Sequence, residues 1–393
     1  MLFKNFIYNV ANTLNREFRR IRTDRTYLIG SVGVMAFCFI FFLTFFEEGQ
    51  PQNIPVAVVD NDQSSLSRQY VRNLKLMQHV SVHEGYLNYS EAHKAMQSGD
   101  VYAIVVVNDG FAAETLSGRQ PTIHYYVNDA FLVAGSLVLK DISYITELTN
   151  GGVKQKTLQA RGYDNQTISG IIQPIVLDAH LLANPWANYG VYLLNNLLPG
   201  VLQIMVLMLT VYSIGTELKL RTSAEWLATA NNSMPAALLG KVLPYTLLFT
   251  ILGFISNILL YQLMDFPLHN SITRMFLASF LMVISYQAIA VMICGIVPVL
   301  RDSVTLAALY GLFGLTFAGF TFAIEQMPYY LQIFSYFFPI RYYFLIYVRQ
   351  ALYGLSVDYS FWHYVAFTAF LLLPLLTAKR LKNAAILQNY PVK

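Results

Sequence analysis

The sequence predicts an α-helical polytopic membrane protein with six transmembrane helices and a small α/β domain inserted between the first two. Three observations carry that prediction. The run from Thr26 to Phe46 contains no charged residue, and about 20 apolar residues at 1.5 Å each cross a hydrocarbon core roughly 30 Å thick. Similar runs recur from Val191 onward. Between them lies a polar stretch, Glu47 to Asn188, in which β-branched strands alternate with amphipathic helices. Only 12% of the 393 residues are charged and mean hydropathy is +0.45, against about 25% charged in a soluble protein.

Residues 1–25 read as an amphipathic interfacial helix. Leu2, Phe3, Phe6, Ile7, Val10, Leu14, Phe18 and Ile21 recur at helical spacing, with arginines between them suited to anionic headgroups. The first span, 26–46, is expected to be a retained anchor. Its apolar core exceeds that of a signal peptide, and Phe45-Phe46-Glu47-Glu48 offers no small-residue cleavage site. Lys4, Arg16, Arg19, Arg20, Arg22 and Arg25 precede it, and Lys379, Arg380 and Lys382 follow the last span. The positive-inside rule therefore puts both termini in the cytoplasm, which requires an even number of spans.

The domain from 47 to 188 is predicted to face the other side of the membrane. Strands are expected at Ile54–Asp60, His79–His83, Val101–Val107 and Thr122–Val127. Helices are expected at Ser64–Leu76, from an Ser90 cap to Gln97, at Phe111–Leu116 and at Phe131–Leu148, in a fold with a partly parallel sheet. Ile168–Leu182 should be a helix returning to the membrane. The block 189–393 holds spans at 191–214, 236–263, 275–297, 304–322 and 361–378, with a cytoplasmic loop at 215–235. The aromatic segment 325–360 is too apolar for a solvated loop. It is predicted to be re-entrant at the outer interface, broken at Pro339 and including Arg341, Tyr342 and Arg349.

Few residues point to chemistry on this chain. Gly240-Lys241-Val242 lacks the hydroxyl and upstream glycine of a phosphate-binding loop. Leu116-Ser-Gly-Arg-Gln120 mimics an ATPase signature but sits in the inserted domain, where Gly118 reads as a helix C-cap. His79, His83 and His93 lack carboxylate or cysteine partners at ligand spacing, so no metal or catalytic site is expected. Cys38 and Cys294 both lie in apolar spans. The net charge of +4 gives no reason to expect nucleic acid. Asn195, Asn196, Asn257 and Gln287 are the polar residues expected to line a path between subunits, or else to bond helix to helix. Small residues at Ala307/Gly311 and Gly314/Ala318 predict close packing of the fifth span. Lys241 is expected to snorkel to headgroups. In the loop, Glu217, Arg221, Glu225, Trp226 and Leu227 suit a short surface helix with an exposed aromatic knob that docks on a soluble partner.

These features together resemble the ABC-2 type permease family, in the exporter subfamily with a large extracytoplasmic domain. Ile54-Pro-Val-Ala-Val-Val-Asp-Asn-Asp, Gly99-Asp-Val-Tyr-Ala-Ile-Val-Val-Val107 and Leu198-Pro-Gly200 are similar to its landmarks. So are Gly240-Lys-Val-Leu-Pro-Tyr245 and Phe338-Pro-Ile-Arg-Tyr-Tyr-Phe344. Where the family has Gly-Thr-x-Glu in the loop, this chain has Thr222-Ser-Ala-Glu225, and loss of the glycine favours an unkinked helix. The resemblance implies the membrane subunit of an exporter for hydrophobic or amphipathic cargo, such as drugs or lipids, in a bacterial inner membrane. It implies a cytoplasmic ABC ATPase subunit that holds ATP and Mg, and a second permease copy or paralogue to form a dimer. A periplasmic adaptor and membrane lipids are further partners it suggests. The competing expectation is a non-transporting receptor or secretion scaffold whose inserted domain binds a ligand or protein.

Overall fold

The computed structural model describes residues 2–175, 180–388 and 390. Its chain divides into two compact units, Met1–Gly49 with Leu181–Lys393, and Gln50–His180.

The first unit begins with α1 (Leu2–Thr23). Asp24 caps α2 (Arg25–Leu28), accepting from the N–H of Thr26. A wide π turn, Ile29–Gly33, joins α2 to α3 (Val34–Phe45).

In the second unit, β1 (Ile54–Asp60) is followed by α4 (Ser65–Leu74), with Ser64 as its cap. Next come β2 (Val80–His83), α5 (Tyr89–Ser98), β3 (Ala103–Val107), α6 (Phe111–Leu116) and β4 (Ile123–Val127). The cap of α5 is Asn88, whose side chain accepts from the N–H of Glu91, not the expected Ser90. The sheet order is β2-β1-β3-β4, parallel except for the antiparallel β3–β4 pair. One face buries Val56, Val58 and Val105 against Tyr70 of α4 and Val138 and Ile142 of α7 (Leu132–Ala160). The other buries Ala57, Val59 and Ile104 against Ala92 of α5. Helix α7 runs well past the expected Leu148. Gly151 and Gly152 are accommodated within it. The predicted returning helix is not seen: α8 (Asn165–Ile172) stops at Ile172, and 173–175 and 180–188 are irregular. Residues 176–179, also inside that expectation, lie outside the described residues.

The chain re-enters the first unit through α9 (Tyr189–Lys219), α10 (Ser223–Thr229), and α11 (Met234–Ile258) with a π turn Leu259–Leu263. There follow α12 (Ile272–Ile296) and α13 (Leu300–Thr316). Next are α14 (Tyr329–Ser335) and α15 (Pro339–Ile346) with its π turn Tyr347–Leu352. Last come α16 (Phe361–Phe370) and α17 (Leu373–Leu387). Among the described residues five helices are long and apolar enough to cross a membrane: Arg25–Phe45, Tyr189–Lys219, Met234–Leu263, Ile272–Ile296 and Val357–Leu387. The stretch expected at 304–322 is instead α13, only 17 residues long and ending at Thr316. Pro339 opens α15, where its missing N–H would have no helical partner in any case.

Packing in this unit depends on backbone contact. The small residues of α13 meet α9: a Cβ on Gly200 would sit 2.2 Å from Leu315 Cδ2, and one on Gly311 would sit 2.8 Å from Ile204 Cγ1. Gln203 of α9 donates from Nε2 to the Gly311 carbonyl at 3.0 Å. Helix α1 lies against α11 at Gly240, where a Cβ would stand 2.6 Å from both Thr13 Cβ and Val10 O. Gly240→Leu should therefore cost about 1–3 kcal/mol, read as a lower melting midpoint and faster proteolysis within α1. Gly152→Ala, at a position open on all sides, should leave the midpoint unchanged or raise it.

Candidate functional site: a buried ion cluster behind a short surface helix

Glu17 is the only acid among residues 1–23, and Lys241 is the only charge in the apolar run that α11 makes from Met234 to Ile258. The fold brings them together. Lys241 Nζ donates to Glu17 Oε2 at 2.7 Å and to Glu217 Oε1 at 3.0 Å, and all three side chains are fully buried. Arg16 grips Glu217 with both nitrogens, at 2.6 and 3.0 Å. Arg20 donates to Glu217 Oε1 at 2.5 Å and to Thr216 Oγ1 at 2.6 Å. The Thr222 hydroxyl donates to Glu217 Oε2, and Tyr245 donates its hydroxyl to Glu17 Oε1 at 2.7 Å. Three cations thus face two carboxylates, so four elements (α1, the end of α9, the turn before α10, and α11) share one neutralising network.

The physical reason is desolvation. A carboxylate or ammonium taken out of water carries a penalty of several kcal/mol, which only close partners offset. Burial pulls the Arg16 and Arg20 guanidiniums down, but the Glu217 carboxylate more than compensates and holds both above the ordinary arginine value. A base whose folded pKa is raised loses its stabilisation only as pH climbs through that raised value. For these arginines that lies above any working pH, so they stay charged and lock the cluster. The expectation that Lys241 snorkels to headgroups is corrected: its ammonium is 0% exposed and lies 5.3 Å from the centre of the Trp226 ring. Of the α1 arginines expected to suit anionic headgroups, Arg16 and Arg20 turn inward to Glu217.

The loop residues divide in two. Trp226 is 0% exposed and Leu227 1%; Trp226 Nε1 donates to the Ala237 carbonyl at 3.2 Å. The exposed knob is therefore an anchor: the apolar side of α10 faces the bundle. Glu217 is interior as well. Arg221 and Glu225 are on the surface with Ala224 and Ala228. The helix is not continuous through the loop. Arg221 itself takes the left-handed conformation, φ +60°, which usually falls to glycine. The turn is held from outside. Gln388 Nε2 donates to the Arg221 carbonyl at 2.9 Å, and Ser223 Oγ donates to the Ala385 carbonyl at 2.8 Å.

The other predicted residues lie apart from this cluster. Asn195, Asn196, Asn257 and Gln287 are buried and bond within the chain. Asn195 accepts from the Tyr261 hydroxyl at 3.0 Å, and Asn196 donates to the Tyr192 carbonyl at 3.2 Å. Asn257 donates to Ser279 Oγ at 2.8 Å, and Gln287 accepts from Thr246 at 2.7 Å. Arg341 donates to Ser335 and to the Gln332 carbonyl at the end of α14, with Tyr336 stacked 4.1 Å away. Tyr342 donates to the Tyr336 carbonyl at 2.9 Å and Arg349 to that of Tyr359. These bonds tie α14 and α15 into one cap. His79 lies in the inserted unit, between Asp141 at 3.0 Å and Gln50 at 2.6 Å. Among the described residues no three His, Cys, Asp or Glu side chains converge on a metal-sized site.

A polytopic helical membrane protein with an α/β insertion after its first span, and a clamped short helix between two later spans, is the class these features define. The chain belongs to the ABC-2 transporter family, whose description, ABC-2 family transporter protein, matches residues 25–378. No curated relative matches it. It is a membrane component of an ABC transporter, a transport subunit and not an ATPase.

Lys241→Met should leave Glu17 and Glu217 buried without their shared cation and destabilise the protein by about 3–5 kcal/mol. Adding Glu17→Gln should restore part of that loss, so the double variant melts above the single one in a detergent thermal scan.

Proposed function

We propose that this chain is the permease subunit of an ABC exporter and that the surface of α10 receives the push of a cytoplasmic ATPase. Members of the family generally pair with ABC ATPase subunits. The observation that carries the reading is the joint between α9 and α11. A seven-residue helix and the turn before it show Glu225 and Arg221 outward, while Trp226, Leu227 and the Glu17–Lys241–Glu217 cluster fix the inner side to two apolar helices. A force on the outer face reaches α1, α9 and α11 together, because their shared charges resist separation.

On this reading Arg221 and Glu225 make the contact, and Glu217, Trp226 and Leu227 transmit it. ATP and Mg bind the partner. Two permeases, copies or paralogues, enclose the path, with α9 and α13 as its wall and the four buried amides stiffening the helices behind it. The short α13 serves as an additional crossing, giving six spans with both termini in the cytoplasm of a bacterial inner membrane. The apolar, aromatic character of 325–360 favours hydrophobic or amphipathic cargo, which the inserted domain passes to a periplasmic adaptor.

Arg221→Ala combined with Glu225→Arg should leave membrane insertion and melting unchanged while abolishing both export and cargo stimulation of the co-purified ATPase. Undiminished stimulation in that variant refutes the contact. Trp226→Ala should behave differently and lower stability itself, by about 3–5 kcal/mol.

A further inference from the structure

One edge of the sheet in the inserted unit is open. Asn61 N–H bonds the Val107 carbonyl at 3.0 Å, and Asn128 N–H bonds the Tyr102 carbonyl at 2.9 Å. Tyr102, just ahead of β3, splits its groups, with its N–H on the Pro55 carbonyl of β1 at 2.9 Å; from Ala103 to Val107 the register turns odd-numbered residues to β1 and even-numbered ones to β4. Across the register, His124 and Tyr126 therefore bond β3. Ile123 and Tyr125 turn their N–H and C=O groups to the free side, where no described residue pairs with them. Natural edges are commonly blunted by Lys, Pro or a bulge. Ile123–Val127 contains neither residue, and its register runs unbroken.

Beside this edge, between it and α7, lies a groove of about 990 Å³. Buried Tyr70 and half-buried Tyr125 line it, together with exposed Ser143 of α7. Arg119 and Lys154 line it with a single acid, Glu147, and among the described residues neither cation has an ion-pair partner. Donor and acceptor pairs two residues apart along a strand, about 6.8 Å, match the backbone of another extended chain. A lipid tail leaves those groups unsatisfied. A strand laid against β4 sends alternate side chains into the groove, and a carboxylate among them answers the surplus cation.

We propose that β4 is a docking edge for an extended, acid-bearing segment of a partner polypeptide, which adds a fifth strand to the sheet and seats alternate side chains beside α7. The assignment does not depend on the α10 contact, and its test needs no ATPase.

Random octapeptides displayed on phage are selected against the full chain in lipid nanodiscs and counter-selected on empty nanodiscs and on Ser143→Trp. The enriched peptides are then synthesised. They should carry an acid, and their binding should slow amide exchange in the segment 122–127. N-methylation of alternate peptide residues should weaken binding about tenfold, the loss of roughly one hydrogen bond. Ile123→Pro should do the same without lowering the melting midpoint, because that N–H takes no part in the β3 ladder. If Ile123→Pro also unfolds the unit, N-methylation against the unchanged chain decides alone. No enrichment over empty nanodiscs, binding indifferent to N-methylation, or protection confined to other segments overturns the proposal.

Discussion

A lysine buried between two glutamates fixes how the first unit is built. Lys241 sits one-third of the way along an apolar helix, too deep for water, and its charge requires carboxylates at contact distance. Glu17 comes from α1 and Glu217 from the last turn of α9. Because Glu217 then carries more attraction than one lysine can answer, Arg16 and Arg20 follow it inward, and α1 is drawn flat along α11. Gly240 makes that approach possible by leaving the backbone bare where Val10 and Thr13 pass. The electrostatic demand and the steric permission fall on adjacent residues.

The same cluster helps to fix where α10 sits. Its N-terminal side is tethered through Thr222 to Glu217, its centre by Trp226 to α11, and its preceding turn by Gln388 and Ser223 to the end of α17. A helix of seven residues has little intrinsic stability in water. Here tertiary contacts supply it, and they leave only one narrow face free.

Much of this was legible in the sequence, and the losses have identifiable causes. β1 and α6 end where their residues said they would, because Asn61-Asp62 and Gly118 punctuate them. The mixed sheet followed from alternating strands and helices. α7 runs on past the expected Leu148 because the two glycines that follow, Gly151 and Gly152, cost a long helix only about 1 kcal/mol each. The ion cluster is hard to read from the sequence because Lys241 finds its two carboxylates 24 and 224 positions away. A lone lysine in an apolar run was nevertheless a pointer, since such a charge requires a partner. Trp226 was misplaced for a related reason. On so short a helix the inward face is set by what packs against it, here Ala237 and Lys241 of α11 against Trp226 and the end of α17 against Ser223.

The first span contains a wide turn at Ile29–Gly33, with α2 before it and α3 after it. Such a turn holds one residue more than an α-helix needs. Elsewhere in the span, deleting one residue swings everything beyond it by about 100° and points the packed stripe into lipid. Here the deletion would close the surplus loop and return the backbone to ordinary pitch. The span thus carries a joint where its length can change by one without turning the helix inside out.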